Sequence, residues 1–120
     1  MQLSDESKRD ILDFMLSLIF AISNKEYQRR VWINAEGPEC DDFDDTVCNF
    51  LHEGDAIIEK YKEFGLTDTQ FNLLQKFRDE FRSFSNKHDL PEEFIDTPEW
   101  ERIMKMASTV LKAFNYQRKT

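Results

Sequence analysis

The chain has 120 residues, of which 40% are hydrophobic and 33% charged, with a formal net charge of −8. That length suits one helical domain over residues 1–120 with a modest core, and a mixed-charge composition carrying eleven Phe is that of a folded chain rather than a disordered one. Eight of the 24 acids fall in residues 36–55, which hold no Lys or Arg, so the remaining hundred residues carry 16 acids against 16 bases and the whole imbalance sits in one segment.

The first apolar run, Ile11–Ile22, follows Lys8 and Arg9, as a secretory signal would, but acids flank it and Asp13 interrupts it. It is also shorter than the ~20 residues a membrane span needs. A buried core helix is the better reading, over about Asp5 to Ser23 with Ser4 as N-cap. Its apolar positions cover most of the circumference, which predicts a central helix packed on several sides. Asn24 is placed to cap a short helical turn through Arg30, and Val31-Trp32-Ile33 reads as a brief extended piece before the loop Asn34–Cys40.

Asp42 is a candidate N-cap for a helix from Phe43 to His52, with Phe43, Val47, Phe50 and Leu51 on one face and Gly54 as its end. Asp55 then caps a further helix, Ala56–Phe64, whose inner face is Ile57, Ile58, Tyr61 and Phe64, and Gly65 stands where a left-handed C-cap is wanted. Thr67-x-x-Gln70 matches a capping box, with Leu66 and Phe71 at the hydrophobic-staple positions. The helix it opens runs to about Lys87 on a stripe of Phe71, Leu74, Phe77, Phe81 and Phe84. Asp89–Asp96 is a connection. Thr97-Pro98 opens the last helix, with Thr as cap and Pro at the first helical position, and Gln117–Thr120 is a frayed tail. Strand alternation is scarce, so the expected fold is an all-α, single-domain bundle of four to five helices.

Reactive chemistry is thin. The only histidines, His52 and His88, fall near predicted helix ends, and the chain has no phosphate-cradling glycine loop, nucleophile elbow or His-Glu-x-x-His pair, so it does not read as an enzyme. Cys48 and His52 one helical turn apart, with Cys40 and His88, could supply zinc ligands, but their spacing follows no zinc pattern. Asp42, Asp44, Thr46 and Glu53 occupy positions one, three, five and twelve of an EF-hand count, yet Val47 stands where that loop needs Gly. No metal or other cofactor is expected. Two cysteines make no disulfide framework, and free thiols in a reducing cytoplasm are expected. The short basic pairs Arg29-Arg30 and Arg118-Lys119 do not form a nucleic-acid footprint.

The acidic segment has two readings. Asp41, Asp42, Asp44 and Asp45 at a helix start favour the free N–H groups and the helix dipole by about 0.3–1 kcal/mol each. That accounts for one or two aspartates, but not for a base-free run from Val31 to Glu59. Crowded like charges repel, and a cationic protein partner relieves them while the field speeds its arrival. The expected partner-binding set is Glu36, Glu39, Asp41, Asp42, Asp44, Asp45, Glu53 and Asp55, with Trp32 as an aromatic anchor. Phe43, amid the aspartates, is read as core on the Val47 face.

The runs Val31–Val47 (VWINAEGPECDDFDDTV) and Leu90–Tyr116 (LPEEFIDTPEWERIMKMASTVLKAFNY) resemble stretches of the small acidic helical immunity proteins of bacterial toxin–immunity systems, including contact-dependent growth inhibition. The resemblance implies a cytoplasmic inhibitor, monomeric when free, that binds a cognate toxin, often a nuclease with a basic cleft, and blocks its active site or an adjacent surface. The colicin-nuclease immunity proteins are similar in being acidic helical bundles, but this chain is longer and lacks their helix sequence, so no functional residue is carried over from them. The alternative is a generic helical interaction or regulatory module that dimerises through the Phe-rich stripe of residues 71–84, against which stands burial of that stripe in its own bundle.

Overall fold

A computed structural model describes residues 3–39 and 41–116; the expected tail Gln117–Thr120 and the candidate ligand Cys40 lie outside them. Among the described residues all regular structure is helical, and no helix is long and apolar enough to cross a membrane. The helices are α1 (Asp5–Ser23), α2 (Lys25–Tyr27), α3 (Phe43–Glu59), α4 (Asp68–Lys87), α5 (Pro91–Phe94) and α6 (Pro98–Ala113), with a π-helical segment, Gln28–Ile33, following α2. Among the described residues there are six α-helices, close to the four to five expected. α2 and α5 are single turns, and the two helices expected between Phe43 and Phe64 are largely one.

Helix starts follow local capping chemistry. The Ser4 hydroxyl accepts from the Ser7 N–H, the Asn24 side chain from Tyr27, Asp42 from Asp45 and Thr97 from Trp100. Thr67 and Gln70 complete a reciprocal capping box at 2.9 and 3.1 Å. Gly65, at φ +76, closes the turn after α3 as a Schellman motif, with Leu66 N–H donating to Tyr61 C=O and Gly65 N–H to Lys62 C=O.

Two expectations fail. Gly54 does not end a helix. It lies buried inside α3, where a Cβ would sit 3.5 Å from the Phe50 ring, and Ile57 and Ile58 beyond it are also buried. Burial of that continuing apolar face outweighs the roughly 0.5–1 kcal/mol that a mid-helix glycine costs. Asp55 therefore caps nothing. The second failure is Val31-Trp32-Ile33, which is π-helical rather than extended. Gln28, fully buried at the head of that segment, donates its amide to the Ala21 and Ile22 carbonyls at the end of α1 and accepts from Trp100 Nε1 at 2.9 Å. It thereby satisfies carbonyls that a helix end leaves free.

The four long helices form a ring. α1 packs on α3 and α6, and α4 packs on the same two, so α3 and α6 occupy opposite corners. α1 is covered on two sides rather than all round, leaving Asp10, Asp13, Phe14 and Ser17 exposed. One end of the core is an aromatic nest, with ring centroids 4.9 Å apart for Phe43–Phe94, 4.7 Å for Phe94–Trp100 and 5.1 Å for Phe84–Trp100. The stripe of α4 is spent inside this core: Leu74, Phe77, Phe81 and Phe84 are buried, and Phe71 stacks on Tyr61. The outer face of α6 carries Arg102, Lys105 and Lys112, while that of α3 opens with Asp44 and Asp45.

Because Gly54 is helical and its neighbour is the face of a ring at ordinary contact distance, Gly54→Ala should stabilise the protein by about 0.5–1 kcal/mol. Urea denaturation reads this directly, and a lowered midpoint would contradict a helix running unbroken through residue 54.

Candidate acidic interface

The structure sorts the sequence-predicted residues into those used internally and those left open. Trp32 is not a surface anchor. It is 8% exposed and packs edge-on against Phe43, with ring centroids 5.5 Å apart. Phe43 is core, as read from its helical spacing. Glu39 is held by Arg30 through two parallel bonds of 2.8 and 2.7 Å, the bidentate geometry that suits guanidinium and carboxylate. Gly37, at φ +94, makes room for that pair, since a Cβ there would collide with the Arg30 guanidinium. Asp55 accepts from Arg78 at 2.8 Å and from Arg82 at 2.6 Å, two arginines one turn apart on α4.

Asp41 is structural in a different way. Its Oδ2 accepts from the Tyr27 hydroxyl at 2.9 Å and Trp32 Nε1 at 3.3 Å, and shares the single Thr46 hydroxyl proton, at 3.0 Å, with the Asp42 carbonyl. All three donors are neutral, so the bonds orient the carboxylate without cancelling its charge. Burial and this carboxylate push the Tyr27 hydroxyl far above its ordinary range, which keeps it a donor at any physiological pH.

The acids therefore do not make one continuous face. Asp41, Asp42, Asp44 and Asp45 gather at the start of α3. Glu36 is exposed in the preceding loop, and its backbone N–H donates to the Arg30 carbonyl. Glu53 and Asp55 lie eight and ten residues beyond Asp45, roughly 12–15 Å along the helix axis. The open members are Glu36, Asp44 and Asp45, all exposed, with Asp42 exposed as the cap. Asp45 registers the crowding. Its carboxyl is raised above the usual Asp value, first by the charge of Asp42, then by burial, then by Asp41 and Asp44. In a first helical turn the dipole favours the anion, so the like charges win over it.

Sequence reasoning missed the residues that neutralise or tie the acids. Arg30 sits one position outside the base-free run, and Tyr27, Thr46, Arg78 and Arg82 carry no local signal of their roles. The EF-hand count fails because residues 43–53 are helical, and Cys48 and His52 are exposed on that helix. Among the described residues, no three His, Cys, Asp or Glu side chains converge as a metal site. No protein-family model, curated protein or solved structure matches the chain.

Two substitutions separate the tied acid from the crowded one. Asp41→Ala strands donors at Tyr27 and Trp32 and should lower stability by about 1–3 kcal/mol, with Asp41→Asn losing less because it keeps an acceptor oxygen. Asp45→Asn should instead raise the melting temperature at pH 7 in low salt. A carboxyl whose folded-state pKa lies above its unfolded value subtracts stability as pH rises through the carboxylate range, so the gain should vanish below about pH 4 and shrink in high salt. A fall in melting temperature for Asp45→Asn at low salt would show that the cluster is not self-repelling.

Proposed function

We propose that this chain is a binding protein, not an enzyme, whose acidic cluster at the start of α3 receives a cationic protein. The single observation that carries the reading is the contrast between matched and unmatched acids. Glu39 and Asp55 have arginine partners, whereas Asp42, Asp44 and Asp45 have no ion pair among the described residues and repel one another. Self-repulsion at a surface lowers stability, and a cationic partner converts that cost into binding energy and a faster encounter.

The resemblance of Val31–Val47 and Leu90–Tyr116 to immunity proteins supports the narrower form of this proposal. In it the partner is a basic toxin, of nuclease type, neutralised in the cytoplasm by a monomer that covers its active site or a neighbouring surface. No direct nucleic-acid contact or cofactor is required.

The test is affinity capture from the cells of origin with the wild-type chain as bait, followed by association kinetics of the captured protein. The triple variant Glu36→Lys/Asp44→Lys/Asp45→Lys spares the cap residue Asp42 and every internal pair. It should slow association at least about tenfold at low salt, with the difference collapsing at high salt. Unchanged kinetics would remove the assigned surface. A captured protein that is harmless when expressed without this chain would remove the toxin.

A further inference from the structure

Helices α4 and α6 lie antiparallel and are bridged at two points. At one, Arg102 donates to both Glu80 oxygens at 3.1 and 3.2 Å. At the other, the Gln70 amide donates to the Ala113 carbonyl at 3.0 Å. Between the two bridges a hollow of about 270 Å³ opens on the outside of the bundle. Its apolar lining is Leu73 and Met106, both half-buried, and the buried Val110. Leu73 and Met106 stand beside the stripes that fill the core, and core packing covers them only in part. Lys76 and Thr109 are exposed on the rim, and Arg102 completes the lining.

The charge at this hollow has the opposite sign to that of the acidic segment. Among the described residues no Asp or Glu lines it, and Lys76 has no ion pair. Glu80 matches Arg102 from just outside the lining. Two bases against one acid leave one positive charge over, at the edge of an apolar concavity. Beyond α6 the described chain turns toward α1 rather than α4, and the Tyr116 ring meets Phe20 there.

We propose that this hollow binds a small amphipathic monoanion, a carboxylate carried on a compact apolar body. The body covers Leu73, Met106 and Val110, and the carboxylate pairs with Lys76. The site is separate from the acidic cluster and does not depend on the function proposed for it. Each half of such a ligand meets its complement: the body takes apolar surface out of water, and one negative charge matches the one unspent cation. A simple inorganic anion would leave the floor wet, and a multiply charged one would exceed the positive charge present. The chain's net charge of −8 repels an anion at long range. At physiological salt that field is screened over about 8 Å, so the side chains of the hollow itself decide affinity.

NMR titration of the full chain with 3-phenylpropionate, against uncharged 3-phenylpropanamide and against acetate, tests the site at neutral pH and physiological salt. 3-Phenylpropionate should shift the methyl resonances of Leu73, Met106 and Val110 with a Kd of about 1 mM, the strength that so small a ligand reaches. It should bind about threefold tighter than the amide, the worth of one exposed ion pair, and acetate should leave those methyls unmoved. Lys76→Gln, at an exposed position, should abolish the preference for the acid and leave amide binding as it was. Thr109→Trp, also exposed, fills the mouth and should abolish the methyl shifts while the ring resonances of the aromatic core stay in place. Equal binding of acid and amide, a preference that survives Lys76→Gln, or methyl shifts of the same size from acetate would overturn the proposal. So would shifts that gather around Lys25, Lys105 and Lys112 instead.

Discussion

The Asp41 carboxylate is the constraint on which the acidic end of the molecule depends. One oxygen gathers donors from three places, the end of α2, the π-helical segment and the first turn of α3. Bonds to an ionised acceptor are stronger than neutral ones, and these are partly shielded from water. They join the two ends of the loop between Asn34 and Asp42, with the Arg30–Glu39 pair bracing its middle. Asp42 is thereby delivered to the cap position of α3, and Asp44 and Asp45 are projected from its first turn. The crowding of charge is a consequence of where that loop is anchored, and not only of composition.

Much of the helical framework was legible in the sequence because its signals are local. Ser4, Asn24, Asp42, Thr97 and the Thr67–Gln70 pair each act within three residues of themselves, so reading them requires no knowledge of the fold. Gly54 and Trp32 were misread because tertiary burial decided both. A glycine continues a helix when Phe50, Ile57 and Ile58 are buried on either side of it, and a tryptophan in an aperiodic stretch joins the core when the backbone winds at a wider pitch. The candidate site divides along the same line. Asp42, Asp44 and Asp45 share one helical turn and were visible as a cluster. Arg78 and Arg82 reach Asp55 from more than twenty residues away, so they could not be found by spacing along the chain.

The molecule thus treats its carboxylates in three ways. Some are paired with basic side chains, Asp41 is tied by neutral donors, and others, at the opening of α3 and elsewhere on the surface, face water. Matching on a half-exposed surface adds little stability but fixes side-chain direction, which is what Arg30 does for the loop and Arg78 and Arg82 do for the α3–α4 contact. In the group at the opening of α3, Asp42 caps the helix, and Asp44 and Asp45 meet its dipole while repelling one another.

The ring of four helices sets α3 and α6 at opposite corners, with aspartates leading one, while on the other exposed Glu99 and Glu101 offset Lys105 and Lys112 and Arg102 is paired with Glu80. Residues 36–55 carry the whole net charge of −8 and the other hundred residues sum to zero, so the centre of charge is displaced toward the loop and α3. In the field of a cationic body such a molecule feels a torque while it is still separated by a few solvent layers. It turns its aspartate end forward before any side chain touches, which shrinks the angular search that otherwise limits how quickly two proteins dock.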